Sequence, residues 1–352
     1  MNGYLNPRES GKLIAELSKH VFMKRDGIKR AAELIVSSFL DGTIAEYTWD
    51  AATLHPKFED REKAVNWCFF MDTVNFCFWT SPEADQYKVT YRGCTYTGYF
   101  AACACANRAV EAGLDITQPA FYADLTSQTA ASLFQGDFCT IPLLDERVKA
   151  LNQAGKTLIE KFSGSFYNCV RESNCSALKL VEIICDNFDS YRDVATYHGH
   201  RVSFLKRAQL LASDVYWCLG GKEPAAFEDI DQLTMFADYR VPQVLAYLGA
   251  LEYSQSLLEM LKKGRKLLYT DTTRSISEDM ECEIRGCSIE ACQLIAETAV
   301  QMCQSWSEEE KAKLSEPLNA IAVDKFLWTF RRKYPKEIER FVPFHRVRSI
   351  FY

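Results

Sequence analysis

The chain has 352 residues, 48% of them apolar, with 47 acidic against 41 basic side chains and a formal charge of −6. That length and apolar content support a sizeable core. They exclude a helical membrane span, since no apolar run reaches the roughly 18 to 20 residues a bilayer needs, and the acidic balance excludes a broad phosphate-gripping surface, which draws its affinity from many Lys and Arg.

Helical signals begin at Asn6-Pro7-Arg8-Glu9, which reads as a cap, a proline in the first turn and a glutamate at the third position. Leu13, Ile14, Leu17 and Val21 then form a buried stripe, and Ile28, Ala31, Ala32, Ile35 and Phe39 form a second. His55 lies in the loop ATLHPKF, ahead of a helix that Asp60 is placed to cap. The spacing predicts that helix over residues 61 to 79, with Asp72, Asn75, Phe76 and Trp79 on one face that is both aromatic and polar. Such a face suits either a satisfied core network or a flat heterocycle. Tyr87–Tyr99 alternates and turns at Arg92-Gly93, a β-hairpin pattern, and Tyr197–Val202 around His198-Gly199 is a second.

Helical patterns resume at Glu146–Phe162, Ser176–Asn187 and Phe204–Leu219. Thr270–Cys282 is polar and expected to be a mobile loop, and Ile289–Trp306 and Pro317–Phe330 read as the last long helices. With no internal repeat and no low-complexity linker, the expectation is a mainly α protein: a single compact helical domain, or two intimately packed lobes over about 1–150 and 151–352.

Fourteen cysteines would signal disulfides in a short secreted chain, but this one is long and opens MNGYLNPRESGKL without an apolar leader. Reduced thiols and a cytoplasmic location are expected. No Cys-x-x-Cys pair occurs and the five histidines do not cluster beside cysteine, so no metal site is expected.

The most informative stretch is FEDIDQLTMFADYRVPQVLAYLGALEY, residues Phe227–Tyr253. Pro242 suits the first turn of a helix, and Val244, Leu245, Leu248 and Leu251 would lie along one face of it. Asp238 then sits on the connection entering that helix, where unpaired backbone N–H groups and the dipole favour an anion. Phe236, Ala237 and Tyr239 give it apolar neighbours, which strengthen its interaction with a bound cation. The plainer reading is a helix-entry carboxylate paired with Arg240.

Taken with this stretch, the motifs NWCFFMDTVNFCFW, YRGCTYTGYF, FSGSFYNCVRES, RVSFLKRAQLLASD, EIRGCS and PFHRVRSIFY resemble, in the same order and from LNPRES to the last residue, the queuosine salvage protein family. That resemblance implies a helical fold like that of helix-hairpin-helix DNA glycosylases, carrying one or two small hairpins. It implies an N-glycosidase that hydrolyses queuosine 5′-monophosphate to queuine and ribose 5-phosphate without a cofactor, so that queuine is reused in tRNA modification.

Breaking an N-glycosidic bond requires stabilisation of positive charge at the anomeric carbon, a water molecule and a tolerable leaving group. The resemblance gives the carboxylate near that carbon to Asp238, as stabiliser, nucleophile or water-orienting group. Queuine is a 7-deazaguanine with a cationic secondary amine, so a second carboxylate is expected. Asp324, inside the apolar stripe Ile321, Leu327 and Trp328, is the first candidate and Asp72 the other. Phe236, Phe76 and Trp79 are placed to stack on the base, with Ala237, Tyr239, Trp328 and His55 lining the site. Lys206 or Arg207 would anchor the 5′-phosphate, the other reading being a solvated basic turn. Arg346 and Arg348 read as structural, and the run Lys262–Lys266 as a solvated helix end.

A non-catalytic carrier of queuine or queuosine is the alternative from a different class, since it would need the pocket but not Asp238. A nucleic-acid glycosylase is the third reading, and the acidic balance counts against it. The expected partner is therefore a small molecule, with no stable nucleic-acid complex and no membrane.

Overall fold

The Asn6 signal folds as written. In the computed structural model of the chain, which describes residues 3–41, 54–80, 84–262, 276–314 and 317–352, Asn6 Oδ1 accepts from Glu9 N at 2.9 Å and Glu9 Oε2 accepts from Asn6 N at 3.1 Å. Both halves of the capping box are made, and helix Pro7–Leu17 follows with proline in its first turn. The rest of the described chain is mainly helical, with three two-stranded antiparallel sheets. No helix among the described residues is long and apolar enough to cross a membrane.

The chain divides into two compact units, and neither is a continuous stretch. The first comprises Met1–Thr48, Asp193–Lys206 and Asp231–Arg348. Its axis is the helix Ile276–Cys303, against which Pro7–Leu17, Arg25–Leu40, Val241–Tyr247 and Ala320–Lys333 pack. The first of these contacts is close because both helices carry glycine there: a Cβ on Gly11 would come within 2.7 Å of Ile289 Cγ2, and one on Gly286 within 2.6 Å of Ile14. Strand Val21–Met23 pairs with Leu251–Tyr253. The predicted second hairpin joins Val194–Tyr197 to His200–Ser203 through His198 and Gly199 at positive φ of 47° and 83°.

The second unit comprises Trp49–Arg192, Arg207–Ile230 and Ser349–Tyr352. Helix Arg61–Thr73 is buried along nearly its whole length, with Phe69 stacked on Phe166 at 4.4 Å. Asp60 caps it, accepting from Glu62 N at 2.8 Å. The predicted first hairpin pairs Lys88–Tyr91 with Cys94–Thr97, turning on Arg92 and Gly93 at φ 49° and 80°.

Three helix predictions are corrected. The helix expected over 61 to 79 ends at Thr73, so Asn75, Phe76 and Trp79 are not on a helical face with Asp72. Two buried arginines stop it: Arg207 Nη1 donates to the carbonyls of Asp72 and Thr73, and Arg147 Nη2 to that of Phe76. A guanidinium with five donors replaces the missing next turn. Likewise the helix after Pro242 stops at Tyr247, and Leu251 belongs to a strand, because Gly249 takes φ +75°. Finally, Ile276–Cys282 forms the first turns of Ile276–Cys303 where a mobile loop was expected. The remainder of that predicted loop, residues 270–275, lies outside the described residues, as does 263–266 of the basic run.

Candidate active site

One short peptide segment, Phe236 to Val241, is held by two carboxyl groups. Asp238 Oδ1 accepts from the backbone N–H of Arg240 and of Val241, each at 2.8 Å, at the entry of helix Val241–Tyr247. These two donors would otherwise be unsatisfied at a helix start, and they fix the carboxylate plane. Oδ2 has no protein donor among the described residues, and Asp238 is half-buried. The Arg240 guanidinium points elsewhere, to Gln243 Oε1 at 3.3 Å and Glu339 Oε2 at 3.5 Å. The expected pairing of Asp238 with Arg240 therefore runs through the backbone, and one carboxylate oxygen is left open.

Asp324 grips the other end of the segment, its Oδ1 accepting from Phe236 N at 3.1 Å. Helix Ala320–Lys333, capped by Asn319 through Ile321 N and Ala322 N, carries it inward among Ile321, Val323 and Leu327. Burial, and then the nearby Asp238 charge, raise the Asp324 carboxyl well above the usual carboxylate range, against the opposing pull of the Phe236 N–H and the Lys206 ammonium. Burial thus favours the protonated form of Asp324 beside Asp238.

A third group supports the same segment. Arg285 Nε donates to the Ala237 carbonyl at 3.0 Å, and its Nη atoms grip both oxygens of Asp193 at 3.0 and 2.5 Å. Its guanidinium lies 4.1 Å over the Phe204 ring, and Asp193 Oδ2 also accepts from Lys206 N at 3.2 Å. The pair is almost fully buried. Sequence reasoning gave neither residue a role; the available signal was an arginine within the motif EIRGCS. Tyr239 packs against Phe344 at 5.2 Å, Phe236 is buried, and Trp328 is half-buried beneath Arg332.

Asp238, Phe236, Ala237, Tyr239, Asp324, Lys206 and Trp328 thus belong to the first unit. His55, Asp72, Phe76, Trp79 and Arg207 belong to the second. There, His55 Nε2 meets Tyr99 OH at 3.1 Å and its ring lies edge-on to Trp67. Burial lowers its pKa to about 4, which keeps the imidazole neutral. Asn75 Nδ2 donates to Asp72 Oδ1 at 3.1 Å, so this pair meets although the helix has ended. Phe76 lies against Arg147 and Arg207 at 4.2 and 4.9 Å, and Trp79 is buried. Arg207 donates to three backbone carbonyls, of Asp72, Thr73 and Ser190, a fully buried structural role.

Two carboxyl groups holding the two ends of one segment, one of them buried and pushed toward its protonated form, form the equipment of acid–base and glycosidic chemistry. Comparison with known proteins narrows that class. Residues 54–352 match the family described as queuosine salvage protein. Relatives named queuosine 5′-phosphate N-glycosylase/hydrolase include those of Bos taurus, 43% identical with both chains covered in full, and Mus musculus, 42% identical over 99% of each. A bacterial relative of the same name, from Sphaerobacter thermophilus, is 35% identical over 96% of this chain and 95% of its own. The chain belongs to the queuosine salvage protein family.

Proposed function

We propose that this chain is a queuosine 5′-phosphate N-glycosylase/hydrolase that releases queuine and ribose 5-phosphate, with Asp238 as the group acting at the anomeric carbon. The observation that carries the assignment of Asp238 is its divided carboxylate: Oδ1 is fixed by two backbone N–H groups and Oδ2 is open. A charge held in place by backbone dipoles does not reorganise as the sugar becomes cationic, so its stabilisation is available in the transition state.

In the reaction the bond from C1′ to the base breaks with its electron pair leaving on the base. Water oxygen bonds to C1′, and one water proton leaves while the base gains one. Asp238 stabilises the cationic sugar or bonds to it transiently. Asp324, as a neutral acid, donates a hydrogen bond or proton to the departing base, which as a 7-deazapurine has no ring nitrogen at position 7 to receive one. Lys206 supports the anionic side of the substrate, and Phe236, Tyr239 and Trp328 supply apolar surface for base and sugar. The acidic composition supports a free nucleotide in the cytoplasm as substrate, without a stable nucleic-acid complex.

The test is release of queuine from queuosine 5′-monophosphate and from queuosine, followed by chromatography. Wild type is expected to release queuine, faster from the phosphate. Asp238→Asn is expected to retain base binding and lose at least about 100-fold in turnover. No release from either substrate, with queuine bound equally by both proteins, would replace the hydrolase with a carrier.

A further inference from the structure

Helices Ala320–Lys333 and Pro335–Phe341 and the following segment to Phe344 enclose an open cavity of about 420 Å³ in the first unit. Arg240, Arg331, Lys336 and Arg340 line it, with Glu339 as the single carboxylate and Phe344 as an apolar wall. Four cations against one anion is an unusual balance for a chain of formal charge −6. Glu339 is already shared, with Arg331 Nη2 at 3.2 Å, Arg240 Nη1 at 3.5 Å and Arg346 Nη2 at 3.9 Å. Lys336 and Arg340, both exposed, have no carboxylate partner among the described residues.

The central cation is the most telling. Arg331 is 8% exposed, and its Nε and Nη2 are taken by Gln243 Oε1 at 3.0 Å and by Glu339. Its Nη1 meets no protein acceptor among the described residues, although the side chain lines the cavity. Burial, and then the adjacent Arg240 charge, lower the Arg331 pKa to about 10, a sign of like charges crowded without enough anion. Arg240 lies over the rings of Phe344 at 4.2 Å and Tyr239 at 5.0 Å, and with Nη1 toward Gln243 and Glu339 its Nε and Nη2 meet no protein acceptor among the described residues.

We propose that this cavity is a phosphate-binding pocket, with Arg331 and Arg240 as its fixed floor and Lys336 and Arg340 as its mobile rim. The ligand is a phosphate monoester or inorganic phosphate, either the substrate's own 5′-phosphate or a separate molecule. The pocket is coupled to the site through shared residues: the Arg240 backbone holds Asp238, and the Asp238 charge acts on Arg331. A phosphate bound here therefore alters the field at the carboxylate assigned to the anomeric carbon. The source as substrate phosphate rests on the hydrolase reading; the pocket itself does not.

The experiment is calorimetric titration of inorganic phosphate into the full-length protein, alone, for wild type, Lys336→Ala/Arg340→Ala and Glu339→Gln. Saturable binding to wild type is expected, about tenfold weaker when the two rim charges are removed. Glu339→Gln, which neutralises the competing carboxylate, is expected to tighten binding severalfold, a gain that a merely structural cluster would not produce. Equal affinity in wild type and the rim variant at unchanged Tm, or no phosphate binding by any of the three, overturns the pocket. Repeating the titration on an Asp238→Asn background with saturating nucleotide or nucleoside separates the sources. Displacement of phosphate by queuosine 5′-monophosphate but not by queuosine identifies the substrate's phosphate as occupant, and phosphate bound alongside the nucleotide identifies a second ligand. Both outcomes uphold the pocket. Since phosphate is titrated without turnover, this result stands or falls separately from queuine release.

Discussion

Burial and then the Asp238 charge push Asp324 toward its neutral form, against the hydrogen bond it accepts from Phe236 N. The consequence for pH has a definite sign. A group whose folded pKa is raised contributes stability that is fully present below its unfolded value, about 3.9 for aspartate, and lost as pH rises through the folded pKa. Asp324→Asn, which cannot ionise, should flatten the fall in unfolding free energy as pH rises above about 3.9. Denaturant melts at a series of pH values check this, and an identical fall in the variant would remove Asp324 as its source. The Arg285 and Asp193 pair obeys the opposite logic, because both charges are buried, with Glu281 Oε1 also 3.9 Å from Arg285 Nη1. Arg285→Met should cost about 3 to 5 kcal/mol by leaving the buried carboxylates of Asp193 and Glu281 without that cation, measured by chemical unfolding. It should also lower turnover, because the Ala237 carbonyl loses its anchor beside Asp238.

At the scale of elements, small residues decide how closely helices approach the segment that carries Asp238. Helix Arg25–Leu40 starts against the turn that follows Val241–Tyr247, and Lys24 N donates to the Ala250 carbonyl at 2.9 Å. A Cβ on Gly27 would lie 1.7 Å from the Gly249 carbonyl oxygen, a collision with backbone. Gly27→Ala should therefore cost about 3 kcal/mol or more, since the two elements must separate. Thermal and denaturant unfolding would register it, and a neutral effect would mean that the contact relaxes freely. The ends of elements follow the same principle of complete hydrogen bonding. Helix Arg61–Thr73 ends where Arg207 takes its last carbonyls, and helix Pro7–Leu17 begins where Asn6 and Glu9 satisfy its first donors. The first kind of end depends on a residue more than a hundred positions away and the second on a neighbour.

Over the whole molecule, the chain passes between its two units at 48/49, 192/193, 206/207, 230/231 and 348/349. Neither unit can be expressed as one continuous fragment. The last crossing returns Ser349–Tyr352 to the second unit, where Tyr352 is 2% exposed and its carbonyl accepts from Cys77 N at 2.9 Å. Tyr352→Ala should destabilise the protein by about 3 to 5 kcal/mol through the lost ring. Equilibrium unfolding measures this, and a loss below about 1 kcal/mol would show that these residues do not hold the unit together.

By itself the sequence determined what is settled within a few residues. The capping box at Asn6, the cap at Asp60, the two hairpin turns at Arg92-Gly93 and His198-Gly199, and the position of Asp238 before a proline-initiated helix depend on contacts between near neighbours. Asp324 was legible as an anomaly, a carboxyl group inside an apolar stripe. Its raised pKa was not, because that depends on burial and on the charge of Asp238, far along the chain, outweighing the opposing pull of Phe236 N–H and Lys206. The early end of the Arg61–Thr73 helix, the buried pair of Arg285 with Asp193, and the gathering of Arg331, Arg240 and Arg346 on Glu339 were likewise decided only by tertiary structure. Local patterns decide where a backbone turns. Which distant charges share one low-dielectric volume, and hence which of them stay charged, is decided only when the chain has folded around them.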